Sequence, residues 1–496
     1  MREIINNQMK LGEVDIAGIK FDLKSRDEIP KLLIGLQAIY CNTETRHKVF
    51  AVLEKTLPKK TSKKTGRPGM EFWKILVLGT LRLNCNWDFD KVKEMADNHA
   101  KVREMLGHAK WIDIEEYPLQ TLKDNISLFT PELLDEINKI AVNYGHNLKK
   151  KVEELKCRCD SFVVESNVHY PTDTNLLYDA VRKSVKLAAD VCNDLNIKGW
   201  RQNKSLLQKL KNNLRNLQKM KHSSSKDEAK KLKRKDEIKT VAQNYIDQAD
   251  TLLDKVLADI EKIREKGTDI KLELILSNII KFTDYGKRLI DLTTRRIIHE
   301  EKIPHDEKFF SIFEEYTEWI SKGKAGVPQE LGLKVCIIED QFGFMLNHRI
   351  MQNEVDCEIA FPFTEETKKL FPELKSCSFD KGFWKPENKK NLSVILDKVV
   401  MPKKGKLSQQ DKEYELTDDF KKTRRKHSAV ESGINALENH GLDRCPDKGL
   451  KAFKRYISFA VLARNLQTLG SIIQEKEVLR KKRSEKMKQV KKRLAA

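Results

Sequence analysis

The feature that most constrains this chain is the placement of its strand-like sequence. LKCRCDSFVVES (155–166) alternates and is rich in β-formers, so it predicts a strand carrying Asp160 at its middle. The next strand-like stretch, LGLKVCIIEDQFGFMLNHRIM (331–351), comes only after a long and highly charged helical section. Strands so far apart share one sheet only if the residues between them are carried as an insertion. A split domain over 150–195 and 331–473 is therefore expected, with an inserted helical region over 196–330.

Inside the insertion, Leu207, Leu210, Leu214 and Leu217 keep three-to-four spacing, as do Ala249, Leu253, Val256, Ile260 and Ile263. These are seams of antiparallel or coiled helices. Neither seam lasts the roughly three to four heptads of a free coiled coil, so a helical hairpin is expected. HSSSKDEAKKLKRKDE (222–237) is its tip or connector. Ahead of it, HYPTD makes a proline-containing turn before a helix capped by Thr172, Asp173 or Thr174.

Beyond the insertion, Val335–Ile338 and Phe344–Ile350 read as a hairpin around a turn near Asp340–Gly343. TEETKKLF predicts a short helix, Cys377–Phe379 a brief strand ending on Asp380, PENKKNLSVILDK a helix with proline near its start, and KVVMPKK another short strand. In KKTRRKHSAVESGINALENHGLDRC (421–445), Val430, Ile434 and Leu437 stack on one side of a helix. Arg424, His427, Glu431, Asn435 and Glu438 form a polar strip beside them, and Gly441 reads as the stop. KRYISFAVLARNLQTLGSII (454–473) is apolar around most of its circumference and predicts a packed closing helix. The basic tail, 474–496, is either solvated or in contact with a DNA backbone.

The N-terminal part is helical. Residues 1–56 carry patterns such as IPKLLIGLQAIY, and 57–149 open with a basic arm, LPKKTSKKTGRPG, containing Lys63, Lys64 and Arg67. Trp73, Leu76, Val77 and Leu81 then form an apolar face, with Asn86 and Asp88 suited to a turn and an N-cap. Short helices after a basic arm fit a helix-turn-helix-like DNA reader, and a plain helical bundle fits nearly as well. A net charge of +21 over 496 residues favours a polyanionic partner, most simply nucleic acid. Nine cysteines without regular pairing point to reduced thiols, and no run approaches the ~18–20 apolar residues that cross a bilayer. A cytoplasmic or DNA-associated protein is expected.

Three acids stand where a carboxylate is structurally odd. Asp160 interrupts a strand, Asp380 ends one, and Glu431 borders a helix's apolar face. Brought together they would make a hard-oxygen site suited to Mg²⁺. With the insertion removed, the first and fourth strands of a mixed sheet can lie side by side, with a later helix crossing near them. That order resembles the ribonuclease-H-like fold.

The motifs CDSFVVES, HYPTD, EWISKGKAG, SFDKGFW and RRKHSAVESGINALEN with GLDRC occur in that order. Together they resemble the bacterial insertion-sequence DDE transposases of the ISNCY group, over nearly the whole chain. The resemblance implies an α/β ribonuclease-H-like core with a large helical insertion and an all-α N-terminal region. It also implies Asp160, Asp380 and Glu431 as a triad binding Mg²⁺ or Mn²⁺, two ions in all. The activity implied is cleavage at transposon ends and strand transfer into a target, within a multimeric protein–DNA complex in the bacterial nucleoid. A nuclease or resolvase of the same fold, and a non-catalytic DNA-binding protein, are the rival readings. His427 could orient Glu431 or contact a scissile phosphate, or could be a surface or core histidine. Arg424, Arg425 and Lys426, and Lys322 and Lys324 in SKGKAG, are candidates for gripping the DNA backbone. Trp319 and Trp384 could stack on a base or pack in the core.

Overall fold

The computed structural model describes residues 3–5, 11–56, 69–109, 115–149, 153–222, 227–267, 269–321 and 329–494. The chain divides into two units: Met1–Asn167 with Ile320–Ala496, and Val168–Trp319.

Among the described residues of the first unit, seven α-helices precede the first strand: α1 (Glu28–Cys41), α2 (Thr43–Glu54), α3 (Phe72–Asn84), α4 (Phe89–Asn98), α5 (Ala100–Met105), α6 (Leu119–Ile126) and α7 (Pro131–Leu148). Helix α3 is buried on every side, and its polar residues go under with it. Asn86 takes a left-handed turn conformation, and Asp88 caps α4 by accepting from the Lys91 amide. Strand β1 (Leu155–Ser166) spans the expected residues.

The second unit holds α8 (Asp173–Asp194), α9 (Asn203–His222), α10 (Glu228–Glu265) and α11 (Ile270–Ile297). It begins at Val168, ahead of the expected 196, because α8 packs on α9, α10 and α11. The α8 stripe Leu177, Val181, Val185, Ala188 and Cys192 closes one core with both predicted leucine and isoleucine seams. Thr172 is the N-cap of α8. The stretch 222–237 is not all connector: α10 starts at Glu228, where Asp227 caps it. Two of the polar groups buried in this core are matched within it. Trp200 donates to Asp259 at 2.7 Å, and the Tyr245 hydroxyl to the Thr174 carbonyl at 2.9 Å.

The remaining elements are β2 (Glu318–Ser321), β3 (Gln329–Glu339), β4 (Met345–Ile350), α12 (Asp356–Leu370), β5 (Leu374–Phe379), α13 (Pro386–Ile395), β6 (Lys398–Val400), α14 (Gln409–Leu416), α15 (Asp418–His427), α16 (Ala429–Leu437), β7 (Arg444–Cys445) and α17 (Leu450–Leu494). The architecture is mixed α/β around a seven-stranded mixed sheet of order β2-β3-β1-β5-β6, with β4 also pairing β3 and β7 pairing β1. β1 runs antiparallel to β3 and parallel to β5 and β7. The predicted first and fourth strands, β1 and β5, are therefore neighbours.

Three elements differ in extent from their expectation. Helix α12 starts eight residues before TEETKKLF, at Asp356. The helix expected across 421–440 is two, α15 and α16, joined at Ser428. The basic tail continues α17 without a break as far as Leu494. Helix α17 packs on α1, α3, α7 and β4 and closes the unit. Its buried Asn465 donates to the Asn138 side chain and to the Met345 carbonyl and accepts from the Met345 amide, tying α7 to β4. Among the described residues no helix is long and apolar enough to cross a membrane, and all nine cysteines are free.

Candidate active site

The parallel pairing of β1 with β5 places Cys159 beside Phe379, so the next residues, Asp160 and Asp380, leave the pair side by side. Arg158 lies opposite Glu339 on β3 and bonds to it at 3.0 Å, and side chains two apart on a strand share a face. Asp160 thus lies on the face that carries Glu339. Helix α16 sits on that face, and Gly433 makes the approach feasible. A Cβ there would stand 2.8 Å from Glu339 Oε1 and 2.9 Å from Met345 Cε. Val430, Ile434 and Leu437 bury the inner side of α16 as expected, which leaves Glu431, one turn before Asn435, at the open edge. Gly441 ends the following π-helical turn with φ 106°.

Asp160, Asp380 and Glu431 line one cavity of about 690 Å³. Five carboxylates face it (these three, Asp356 and Glu438) against two cations, Lys334 and Arg424. Burial, reinforced by the charges of Asp380, Asp356 and Glu431, pushes the Asp160 carboxyl up to about 6, even though it accepts from the Ser161 amide at 2.8 Å. Burial would raise Asp380 too, but Arg424 outweighs it and holds that carboxyl below the usual range. The guanidinium donates to Asp380 Oδ1 at 2.9 Å and to the Phe379 carbonyl at 3.1 Å. Glu431 is exposed, and its side chain has no hydrogen-bond or ion-pair partner among the described residues.

His427 is buried at the back of the cavity, at 5 % exposure. Its Nδ1 is 2.9 Å from Ser378 Oγ, while its Nε2 has no partner among the described residues. Burial, then the neighbouring Arg424 charge, push this imidazole down to about 4, so it is neutral at physiological pH. Of the candidate cations, Arg424 faces the acids, and exposed Lys426 lines a separate groove. Arg425 is exposed and joins neither. Lys63, Lys64, Arg67, Lys322 and Lys324 lie outside the described residues. Trp319 packs edge-on against Tyr170 and tilted against Phe310, and Trp384 lies under Lys403.

Two residues of the site carried no expectation. Asp356 accepts from the Ser161 hydroxyl at 2.7 Å and pairs with Lys334 at 3.0 Å. An acid in the first turn of a helix is a recognisable signal, but it becomes visible only if α12 is started at 356. Lys334 breaks the apolar run of LGLKVCIIED, a second signal of the same kind as Asp160 in its strand.

The donor set is chemically suited to a hard divalent cation: clustered oxygen ligands with excess negative charge, inside a strongly basic chain. Among the described residues, however, no group of three or more His, Cys, Asp or Glu side chains is gathered so as to hold a metal ion. Asp380 is instead engaged by Arg424. No protein-family model matches the chain, and no curated protein and no solved structure matches it significantly.

Proposed function

We propose that this chain is a DNA transposase of the DDE kind, with a ribonuclease-H-like catalytic domain, that cuts insertion-sequence ends and joins them to target DNA. The observation that carries the reading is the adjacency of Asp160 and Asp380. They are 220 positions apart in sequence, yet parallel strands deliver them to one cavity with Glu431. The pairing of β1 with β5, with β3 on the other side of β1, supports the reading.

Asp160, Asp380 and Glu431 are the residues that would hold Mg²⁺ or Mn²⁺. When bound, the metal would supply activation of an attacking hydroxyl and stabilisation of the leaving oxygen. The chain's own residues do the rest. Arg424 and Lys334 are the positive charges positioned to meet a phosphodiester entering among carboxylates. Neutral His427, oriented through Nδ1 by Ser378, presents Nε2 for one hydrogen bond to a substrate or water oxygen. Phe162, Val163, Ile320 and Ile434 form the apolar part of the cavity lining.

Alanine at Asp160, Asp380 or Glu431 is expected to abolish Mg²⁺-dependent cleavage of DNA bearing the element ends, with DNA affinity within about threefold of wild type, since each removes a negative charge from the site. Near-normal cleavage by any one of them removes that residue from the triad. A strand-transfer assay on the same substrate separates a transposase from a nuclease, which would cut without joining.

A further inference from the structure

Helix α15 separates the acid cavity from a second site of opposite charge. It turns Arg424 and His427 toward the acids, and Lys422, Thr423 and Lys426 toward a groove of about 390 Å³. Six cations from three strands and this helix line the groove: Lys156 and Arg158 on β1, Lys375 on β5, Lys398 on β6, and Lys422 and Lys426 on α15. Only three carboxylates oppose them. Glu154 pairs with Lys156 at 3.5 Å, Asp397 with Lys375 at 3.4 Å, and Asp419 with Lys398 at 2.6 Å. Arg158 is taken by Glu339. Lys422 and Lys426, one helical turn apart, are exposed and have no ion-pair partner among the described residues. Ser376 and Ser378 also line the groove, the Ser378 hydroxyl being already bonded to His427.

We propose that this groove binds the sugar–phosphate backbone of DNA, holding the strand where it continues past α15 from the acid cavity. Two features favour an extended polyanion over a small one. The cations come from four separate elements, and Ser378, which lines the groove, bonds to His427, which lines the cavity, so the two sites share a wall. That the polyanion is DNA rests on the function proposed above; that the groove binds phosphate rests on its own charges.

The test compares Lys422→Glu/Lys426→Glu with Lys404→Glu/Lys406→Glu. The second pair makes the same charge change at exposed lysines outside the groove. Affinity for a duplex oligonucleotide is measured across a salt series without divalent metal, alongside thermal unfolding. The groove pair is expected to lose at least about tenfold in affinity, and its log–log salt slope to fall by roughly two, about 0.9 per phosphate contact. The control pair should change little. Equal losses in both pairs would reduce the effect to net charge and overturn the proposal. If charge reversal unfolds the protein, Lys422→Gln/Lys426→Gln carries the same comparison. Because no cleavage is read, the two proposals fail separately. Groove-dependent binding, with no cleavage in the Mg²⁺ assay of the proposed function, sinks the transposase reading alone, and groove-independent binding sinks this one whatever that assay shows.

Discussion

Asp160 is the residue at which function and stability conflict. Its carboxyl is pushed up to about 6 by burial and by three neighbouring acids, so the folded chain binds a proton there more tightly than the unfolded chain does. Such a group costs stability when it is ionised: the penalty is full above about pH 6 and vanishes below the ordinary aspartate range near ~4. Asp160→Asn is therefore expected to raise stability at pH 7.5 by roughly 1–3 kcal/mol. The gain should fade as pH falls from about 6 to about 4, followed by denaturant unfolding at each pH. An unchanged or lowered midpoint at pH 7.5 would show that the site does not strain this carboxylate. The oddness of Asp160, Asp380 and Glu431 was legible in sequence because each sits against the local pattern. Asp356 was not, because an acid at a helix start looks like ordinary capping chemistry, and only Ser161 and Lys334 at its side show where it faces. The burial of His427 was equally hidden: its partner Ser378 lies 49 positions away on another element.

At the scale of elements, the site depends on how closely α16 lies on the sheet. Gly433 allows the contact, and Glu339, the atom a Cβ would strike, is held by Arg158 and cannot yield freely. Gly433→Ala is expected to destabilise the fold by about 1–3 kcal/mol, in the manner of an overpacked core. It should also cut activity by more than that loss explains, because it moves Glu431. Cleavage rates measured well below the unfolding temperature check this, and a fully active variant would contradict it. Strands were the most legible elements, since alternation over 155–166 and 331–351 is strong. Helix limits were less so. The connector expected at 222–237 is largely the first turns of α10, because a lysine-rich solvated helix offers no apolar stripe to mark its start. The break at Ser428 carries no glycine or proline signal in the local sequence.

At the scale of the whole molecule, the split domain organises everything else. Residues 168–319 form one contiguous unit with a buried core of their own, drawn from α8, α9, α10 and α11. Expressed alone, Val168–Trp319 is expected to be helical and to unfold cooperatively by circular dichroism. A broad, non-cooperative melt would mean that its core is not self-sufficient. The measurement that bears most directly on the central claim is a Mn²⁺ titration of the full-length protein with DNA, followed by electron paramagnetic resonance or calorimetry. Wild type should bind one or two ions, and Asp160→Asn, Asp380→Asn and Glu431→Gln should each weaken that binding by at least about tenfold, as loss of one carboxylate ligand requires. Undiminished binding in all three variants would mean that these acids share a cavity without sharing a metal, and the proposed chemistry would have no centre.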